Sequence, residues 1–356
     1  MLHEIIGLSK KFIAVESVKD NQKNLEAVID LAKGMLSGFT VEDFTRNGRP
    51  SILVYKGNGP LRKFRVILNA HLDVVAGRKD QFAPVEKSGR LYGRGSNDMK
   101  AAAAVELLAF KTLADKVDYP LALQLVTDEE IGGFDGVKLQ VEKGVRSDFV
   151  ISGEPTDFGI NNEAKGIVWV KITTTGVTGH GAYVWNGENA LWKLQTILSR
   201  IKSTYPVPRR AVWKTTVNLA KIETSNNTFN KIPDEASAWL DFRFIPKDGV
   251  GIIPSIRRMV GQDGNIEFVE NEPAQFTDKN NAFVKKLKTT VKKITGKSSK
   301  VIVKHGGSDI RHFNGVGCDG VTFGPVGEGL HSDNEWVDIK SLGQYYEILR
   351  AFLLSI

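Results

Sequence analysis

The sequence predicts an α/β domain with a mostly parallel sheet, interrupted by an inserted ferredoxin-like α+β unit. Three observations carry this. Up to Ser152, short continuous apolar runs alternate with helix-like segments, the pattern of strands buried on both faces between crossover helices. From Lys165 to Gln275 the strand-like runs instead alternate apolar with polar residues, and the order becomes β-α-β-β-α-β. After Gln275 the first pattern returns.

The first part divides as follows. Phe64–Asn69 (FRVILN) reads as a buried strand, Ala101–Ala114 as an Ala- and Leu-rich helix, and Leu121–Thr127 (LALQLVT) as a second buried strand. Val137–Lys143 is helical and Asp148–Ser152 (DFVIS) is strand. In the insert, Ile167–Thr174 alternates as a half-buried strand does, and Asn189–Ile201 is a helix. Thr215–Ile222 and Ala236–Phe244 alternate again, Ile252–Val260 is helical and Asn265–Val269 is strand. The return comprises a helix over 279–295, strands over 300–304 and 319–323, and a helix from Ile339 to Leu354. The expected domains are 1–163 with 276–356, and an insert over 164–275.

Composition narrows the function. At 356 residues, 41% hydrophobic and 25% charged, the chain has material for two packed cores. Its single cysteine, Cys318, excludes an intrachain disulfide and a Cys-rich zinc site, so any metal must sit on His, Asp and Glu. The N-terminal residues lack the apolar core of a signal peptide, and no apolar run approaches the ~18–20 residues that span a bilayer, so a cytoplasmic protein without a membrane partner is expected. The net charge of +7 comes largely from Lys279 to Lys304. There Phe283, Leu287, Val291 and Ile294 mark a buried helical stripe with lysines on the other face, a solvated surface rather than a nucleic-acid site.

Five polar clusters stand at predicted element ends. His71-Leu72-Asp73, Thr127-Asp128-Glu129-Glu130 and Gly153-Glu154-Pro155-Thr156 each follow a strand. His331-Ser332-Asp333 follows the strand 319–323 and a Gly/Pro-rich turn, and Gly93–Asp98 opens the Ala-rich helix, with Asp98 as its expected N-cap. In open α/β sheets, ligands bind outside the carboxyl ends of the strands, where these clusters would converge. Asp98, Glu129, Glu130 and Glu154 would then be four carboxylates in one crevice, each raising the others' pKa. Two divalent cations would neutralise them, and a His/Asp/Glu set suits zinc, with manganese or cobalt tolerated.

The runs "HLDVV", "GRGSNDMKAAAA", "TDEEIGG", "GEPT", "TGHGAY" and "HSDNEWV" together resemble the co-catalytic zinc peptidase and deacylase family across nearly the whole chain. Its members include succinyl-diaminopimelate desuccinylase, acetylornithine deacetylase, aminoacylase and glutamate carboxypeptidases. The resemblance implies a zinc-peptidase-like α/β catalytic domain with a lid that often dimerises, hence a homodimer through the insert. It implies His71 and Glu154 on one metal, Glu130 and His331 on the other, and Asp98 bridging them. Asp73 would orient the His71 imidazole, and Glu129 would be the general base. His180 would polarise the scissile carbonyl. Asn230, Arg243, Tyr183 and the run Gly306-Gly307-Ser308, with Asp309 closing it, would contact substrate.

The activity so implied is amide hydrolysis of an N-acyl amino acid by a metal-bridging hydroxide with Glu129 as base. Glu154, where other branches carry Asp, resembles deacylases and carboxypeptidases. "GHGAY", "DFRF" and "GGSD" lean toward the desuccinylase branch, but Ala164-Lys165-Gly166-Ile167 stands where that branch has Arg-Arg-Gly-Ser, and Ile310-Arg311 where it has Gly-Arg. A carboxypeptidase or dipeptidase acting on short peptides is the rival within the family. A non-catalytic binding protein is the rival outside it.

Overall fold

The computed structural model describes residues 1–356 and divides the chain into two compact units. The first comprises Met1–Asn162, Phe276–Ile302 and Ser308–Ile356. The second comprises Glu163–Gln275 with Val303–Gly307, a short return segment that the periodicity does not separate from the strand beginning near residue 300.

The first unit is built on a sheet whose four central strands are parallel, in the order Leu121–Val126, Lys63–His71, Arg146–Ser152, Asp319–Thr322. Antiparallel strands flank them: Thr40–Arg46 and Arg49–Tyr55 on one side, Ile160–Ala164 on the other. The central strands are buried on both faces, which is why they read as unbroken apolar runs. Leu121, Leu123 and Leu125 face one core with helices Leu2–Ile13, Lys100–Leu113, Ala282–Thr295 and Ile339–Leu353; Ala122 and Val126 face the other with Val137–Glu142 and Ile310–Asn314. Four consecutive alanines, Ala101–Ala104, are fully buried, and their small side chains let helix Lys100–Leu113 lie close against the sheet. On the second face Asn69 donates to Gln124, Gln124 to Gln140 and Gln140 to Ser51, a relay that gives these buried side chains partners.

The expected N-cap at Asp98 does not form. The helix begins at Lys100 behind Met99, no side chain caps it, and the Asp98 carboxylate turns toward two histidines instead. A small antiparallel sheet, Gly327–Glu328, Trp336–Asp338, Arg90–Tyr92 and Val85–Lys87, holds together the two loops that carry Asp98 and His331. Its strands have two or three residues each, too short for period-2 alternation to register.

The second unit has one antiparallel sheet in the order Thr216–Glu223, Glu235–Phe244, Gly166–Thr175, Asn265–Glu272, with helices Ala190–Thr204 and Gly249–Val260 packed on one face. In chain order this is the expected β-α-β-β-α-β unit. Ala236, Ala238, Leu240 and Phe242 point inward at every second position, and Asn189 caps its helix by accepting from the Leu191 N–H. No helix of the chain is long and apolar enough to cross a membrane.

Candidate active site

Parallel strands end on the same side of the sheet, and the chain puts its acids and imidazoles there. His71 is the last residue of its strand and is 1% exposed. Its Nε2 lies 3.0 Å from Asp98 Oδ1 and 3.5 Å from Glu154 Oε1. His331 Nε2 lies 3.3 Å from Asp98 Oδ2 and 3.2 Å from Glu130 Oε2. Two triads result, His71/Asp98/Glu154 and Asp98/Glu130/His331, each with its ligating atoms within 4.8 Å of one another. Asp98 belongs to both, one oxygen to each.

His331 sits at φ 58°, a conformation rare for a residue with a side chain, in a turn that Gly329 opens at φ 81°. A Cβ on Gly329 would come within 2.7 Å of the Asn334 carbonyl oxygen, so only glycine fits.

The expected part for Asp73 differs in detail. His71 Nδ1 pairs with the Asp73 backbone carbonyl oxygen at 3.0 Å, while the carboxylate is 3.5 Å away. That carboxylate also accepts from the Glu129 N–H at 3.3 Å and the Glu130 N–H at 3.0 Å. Asp73 thus fixes the backbone of the Glu129-Glu130 pair as well as the end of the His71 strand.

The electrostatics are those of crowded acids. Burial, then the charge of Glu154, holds Glu129 well above the usual carboxylate range. Burial and the charge of Asp98 push Glu130 up to about 7, and its Oε1 is buried without a partner. Burial opposes charge on His71, but hydrogen bonding to Asp73, Asp98 and Glu154 outweighs it and raises that imidazole well above its ordinary value. For Asp98 burial is likewise outweighed, by His331 and then His71, and the carboxyl is lowered. A set of three carboxylates and two imidazoles, with one carboxylate oxygen left unpartnered, matches what divalent cations require.

The remaining expected residues lie in or beside the second unit. His180, Tyr183 and Asn230 share an exposed loop pair there: the Gly181 N–H donates to the Asn230 carbonyl at 2.7 Å, and the His180 and Tyr183 rings are 5.5 Å apart. His180 Nδ1 accepts from the Ala182 N–H at 3.1 Å, which leaves the ring proton on Nε2, free to donate. Arg243 Nε donates to both Asp241 oxygens, at 2.8 and 3.0 Å. It lines a cavity of about 340 Å³ with Lys165, Arg210 and His305. Lys165 is 2% exposed and its ammonium donates only to Thr216 Oγ1, at 3.1 Å. Gly306 and Gly307 belong to the second unit and are exposed, whereas Ser308 is buried in the first, so the three residues straddle the boundary between the units.

Glu335 and Glu106 have no part in the sequence reading, and Asp309 closes the GGSD run. Glu335 is buried behind Asp98. Asp309 is held at about 8 by burial and then by Asp128, and neither of its oxygens has a partner. Glu106, midway along the Ala-rich helix, is fully buried. Glu335 and Asp309 stood inside quoted motifs, and the only signal for Glu106 was a lone acid in an apolar run.

The model for "Peptidase family M20/M25/M40" matches residues 67–355. A curated relative, succinyl-diaminopimelate desuccinylase of Bordetella petrii, is 26% identical over 376 residues, covering 98% of this chain and 97% of that protein. Among solved structures, aminopeptidase PepT of Bacillus cereus superposes with a TM-score of 0.79 at 17% identity, over 99% of this chain and 98% of that one. The YXEP protein of Bacillus subtilis, described as a dinuclear metal-binding peptidase, superposes with a TM-score of 0.71 at 12% identity, over 99% and 97%.

Proposed function

Because the chain belongs to peptidase family M20/M25/M40, and so hydrolyses amide bonds, we propose that it is a two-metal deacylase of N-acyl amino acids. The observation that carries this is the pair of donor triads sharing Asp98. His71 and Glu154 would hold one cation, Glu130 and His331 the other, with Asp98 between them. The ligand set favours zinc, with cobalt or manganese as substitutes. Such cations supply a Lewis acid for the amide carbonyl and lower the pKa of water.

The chain's own groups do the rest. Glu129 takes a proton from the attacking water as its oxygen bonds to the amide carbon. The C–N bond then breaks, and Glu129 returns that proton to the leaving nitrogen. A base that must later act as an acid works best with a raised pKa, and packing and Glu154 raise this one. His180 Nε2–H would donate to the developing oxyanion.

The cavity with Lys165, Arg210, Arg243 and His305 suits an anionic end of the substrate, a carboxylate of the amino acid or of its acyl group. Asn230, Tyr183 and Gly306-Gly307-Ser308 would complete the substrate contacts. A homodimer through the second unit is favoured by exposed Trp185 (74%) and Trp192 (69%), and by the edge strand Thr216–Glu223.

The test is a panel of N-acetyl and N-succinyl amino acids and C-terminally free dipeptides, run on metal-reconstituted protein. Hydrolysis of acyl amino acids above dipeptides supports the deacylase reading. Preference for dipeptides turns it into a peptidase, and no hydrolysis at all overturns it.

A further inference from the structure

We propose that Glu335 is a positioning residue that fixes Asp98 between the two donor triads and ties the His331 loop to it. The inference rests on the two-metal reading above. Glu335 is 2% exposed, and its carboxylate is fully engaged. Oε1 accepts three backbone N–H groups from one loop: Gly95 at 3.0 Å, Asn97 at 2.9 Å and Asp98 at 3.0 Å. Oε2 accepts from Arg94 Nη1 at 2.7 Å, and Arg94 is itself 3% exposed.

Three N–H donors converging on one oxygen define the path of the 95–98 backbone. They set where the Asp98 Cα stands and therefore where its two oxygens reach. The loop needs this hold, because it is not otherwise regular. Gly95 has φ 85°, a Cβ there would meet the Lys100 side chain at 2.8 Å, and the helix after Asp98 has no side-chain cap. An ordinary loop would leave those N–H groups to water. Here burial makes each unpaired group costly, so one carboxylate satisfying three of them also locks them.

The same residue anchors the other ligand. His331 stands four positions upstream of Glu335. The Gly93 N–H donates to the Glu335 carbonyl at 3.2 Å, and Trp336 pairs with Tyr92 in the small sheet. Gln81 binds the same loop from outside, its Nε2 donating to the Ser332 carbonyl at 3.1 Å, while its backbone carbonyl accepts from the Arg94 backbone N–H at 2.9 Å. Of the candidate ligands, His331 is the most exposed, with 53% of its side chain open against 1% for His71, so it has the least packing to hold it. Its alignment with Asp98 is carried by backbone contacts centred on Glu335.

The prediction separates the two triads. Loss of the Glu335 carboxylate should loosen the Asp98/Glu130/His331 side more than the His71 side. Outer-shell partners of metal ligands are worth about 10–100-fold in metal affinity. The experiment titrates apoprotein with Co²⁺ and follows both the heat and the visible d–d spectrum, for wild type, Glu335→Ala and Glu335→Gln. Glu335→Gln keeps an oxygen for the three N–H groups but turns an amide NH2 toward Arg94, losing both the charge and the hydrogen bond there. Glu335→Ala should weaken one of two cobalt equivalents at least tenfold and alter its spectrum, while Glu335→Gln restores both even if its melting temperature falls. If Glu335→Ala does not fold, Glu335→Asp, one methylene too short to reach the loop, takes its place with the same expectation.

Unchanged affinity and spectrum in the alanine or aspartate variant overturn the proposal, as does equal weakening in the glutamine variant, which would make the charge and general stability the cause. Wild-type protein that takes up no cobalt would instead overturn the two-metal reading itself.

Discussion

Nε2 of His71 lies 3.0 Å from Oδ1 of Asp98, although 27 residues separate them in the chain. The other oxygen of that carboxylate faces His331, so one short side chain joins a buried imidazole to an exposed one. The asymmetry predicts how metal leaves. Dialysis against a chelator should remove one equivalent quickly, from the His331 side, and the second slowly. His331→Ala should bind about one equivalent and keep the slow site. Metal content followed against time checks this, and simultaneous loss of both equivalents from wild type would contradict it.

Glu129 takes part in no ion pair with the imidazoles and carries a raised pKa. Glu129→Gln should keep both metals and the melting temperature. Its kcat should fall by about 10²–10⁴-fold, the range for a removed general base. Steady-state rates on metal-matched samples decide it, and near-wild-type turnover would remove Glu129 from this part.

Lys165 is a buried ammonium with no carboxylate at ion-pair distance, and burial, then the charge of Arg243, lowers its pKa. Such a group costs stability, and the anionic end of the proposed substrate would offset that cost. Lys165→Met should raise the melting temperature and also raise KM for an acyl amino acid. Arg243→Met should raise KM by about 10–100-fold, the equivalent of about 1.5–3 kcal/mol for a charged hydrogen bond. In both variants kcat should change less than KM. A variant with unaltered KM would take its residue out of substrate binding.

Glu106 accepts from the Tyr345 hydroxyl at 2.7 Å, while its other oxygen is buried without a partner. Burial raises its pKa well above the ordinary value of 4.5. Its sign in the pH dependence follows. Below the unfolded value both states carry the proton. As pH rises through that value the unfolded chain ionises while the folded one holds its proton, so stability falls until the folded pKa is reached. Glu106→Gln cannot ionise, and should flatten the loss of melting temperature between pH 5 and pH 8. An unchanged slope would show that Glu106 is not held protonated.

Much of this was legible in the sequence. Parallel strands buried on both faces leave an unmistakable apolar run, and the residue after each run falls at one end of the sheet. His71, Glu129, Glu130 and Glu154 were therefore placeable from periodicity alone. The second unit was legible because its strands are half-buried and alternate cleanly. What stayed hidden depends on tertiary contact. Asp98 looks like a helix cap until His71 and His331 draw it away. Glu335 finds its partners 237–241 residues upstream, a relation no local pattern encodes. Asp73 adjoins His71 in sequence, yet its carboxylate serves the backbone of Glu129 and Glu130, 56 and 57 residues on. The hairpin of Thr40–Arg46 and Arg49–Tyr55 is absent from the sequence reading although Asn47-Gly48 at its tip is a strong turn signal; Thr40–Arg46 itself is polar and only partly buried, so it leaves little apolar run.

Both donor triads meet at Asp98, so both metals should depend on it. Calorimetric titration of the metal-free protein with zinc, paired with elemental analysis, reads that dependence. Wild type should take up about two equivalents per chain, and Asp98→Ala, with its fold intact by circular dichroism, should lose tight binding at both sites. Wild-type uptake of one equivalent or none, or two undiminished sites in Asp98→Ala, would contradict it.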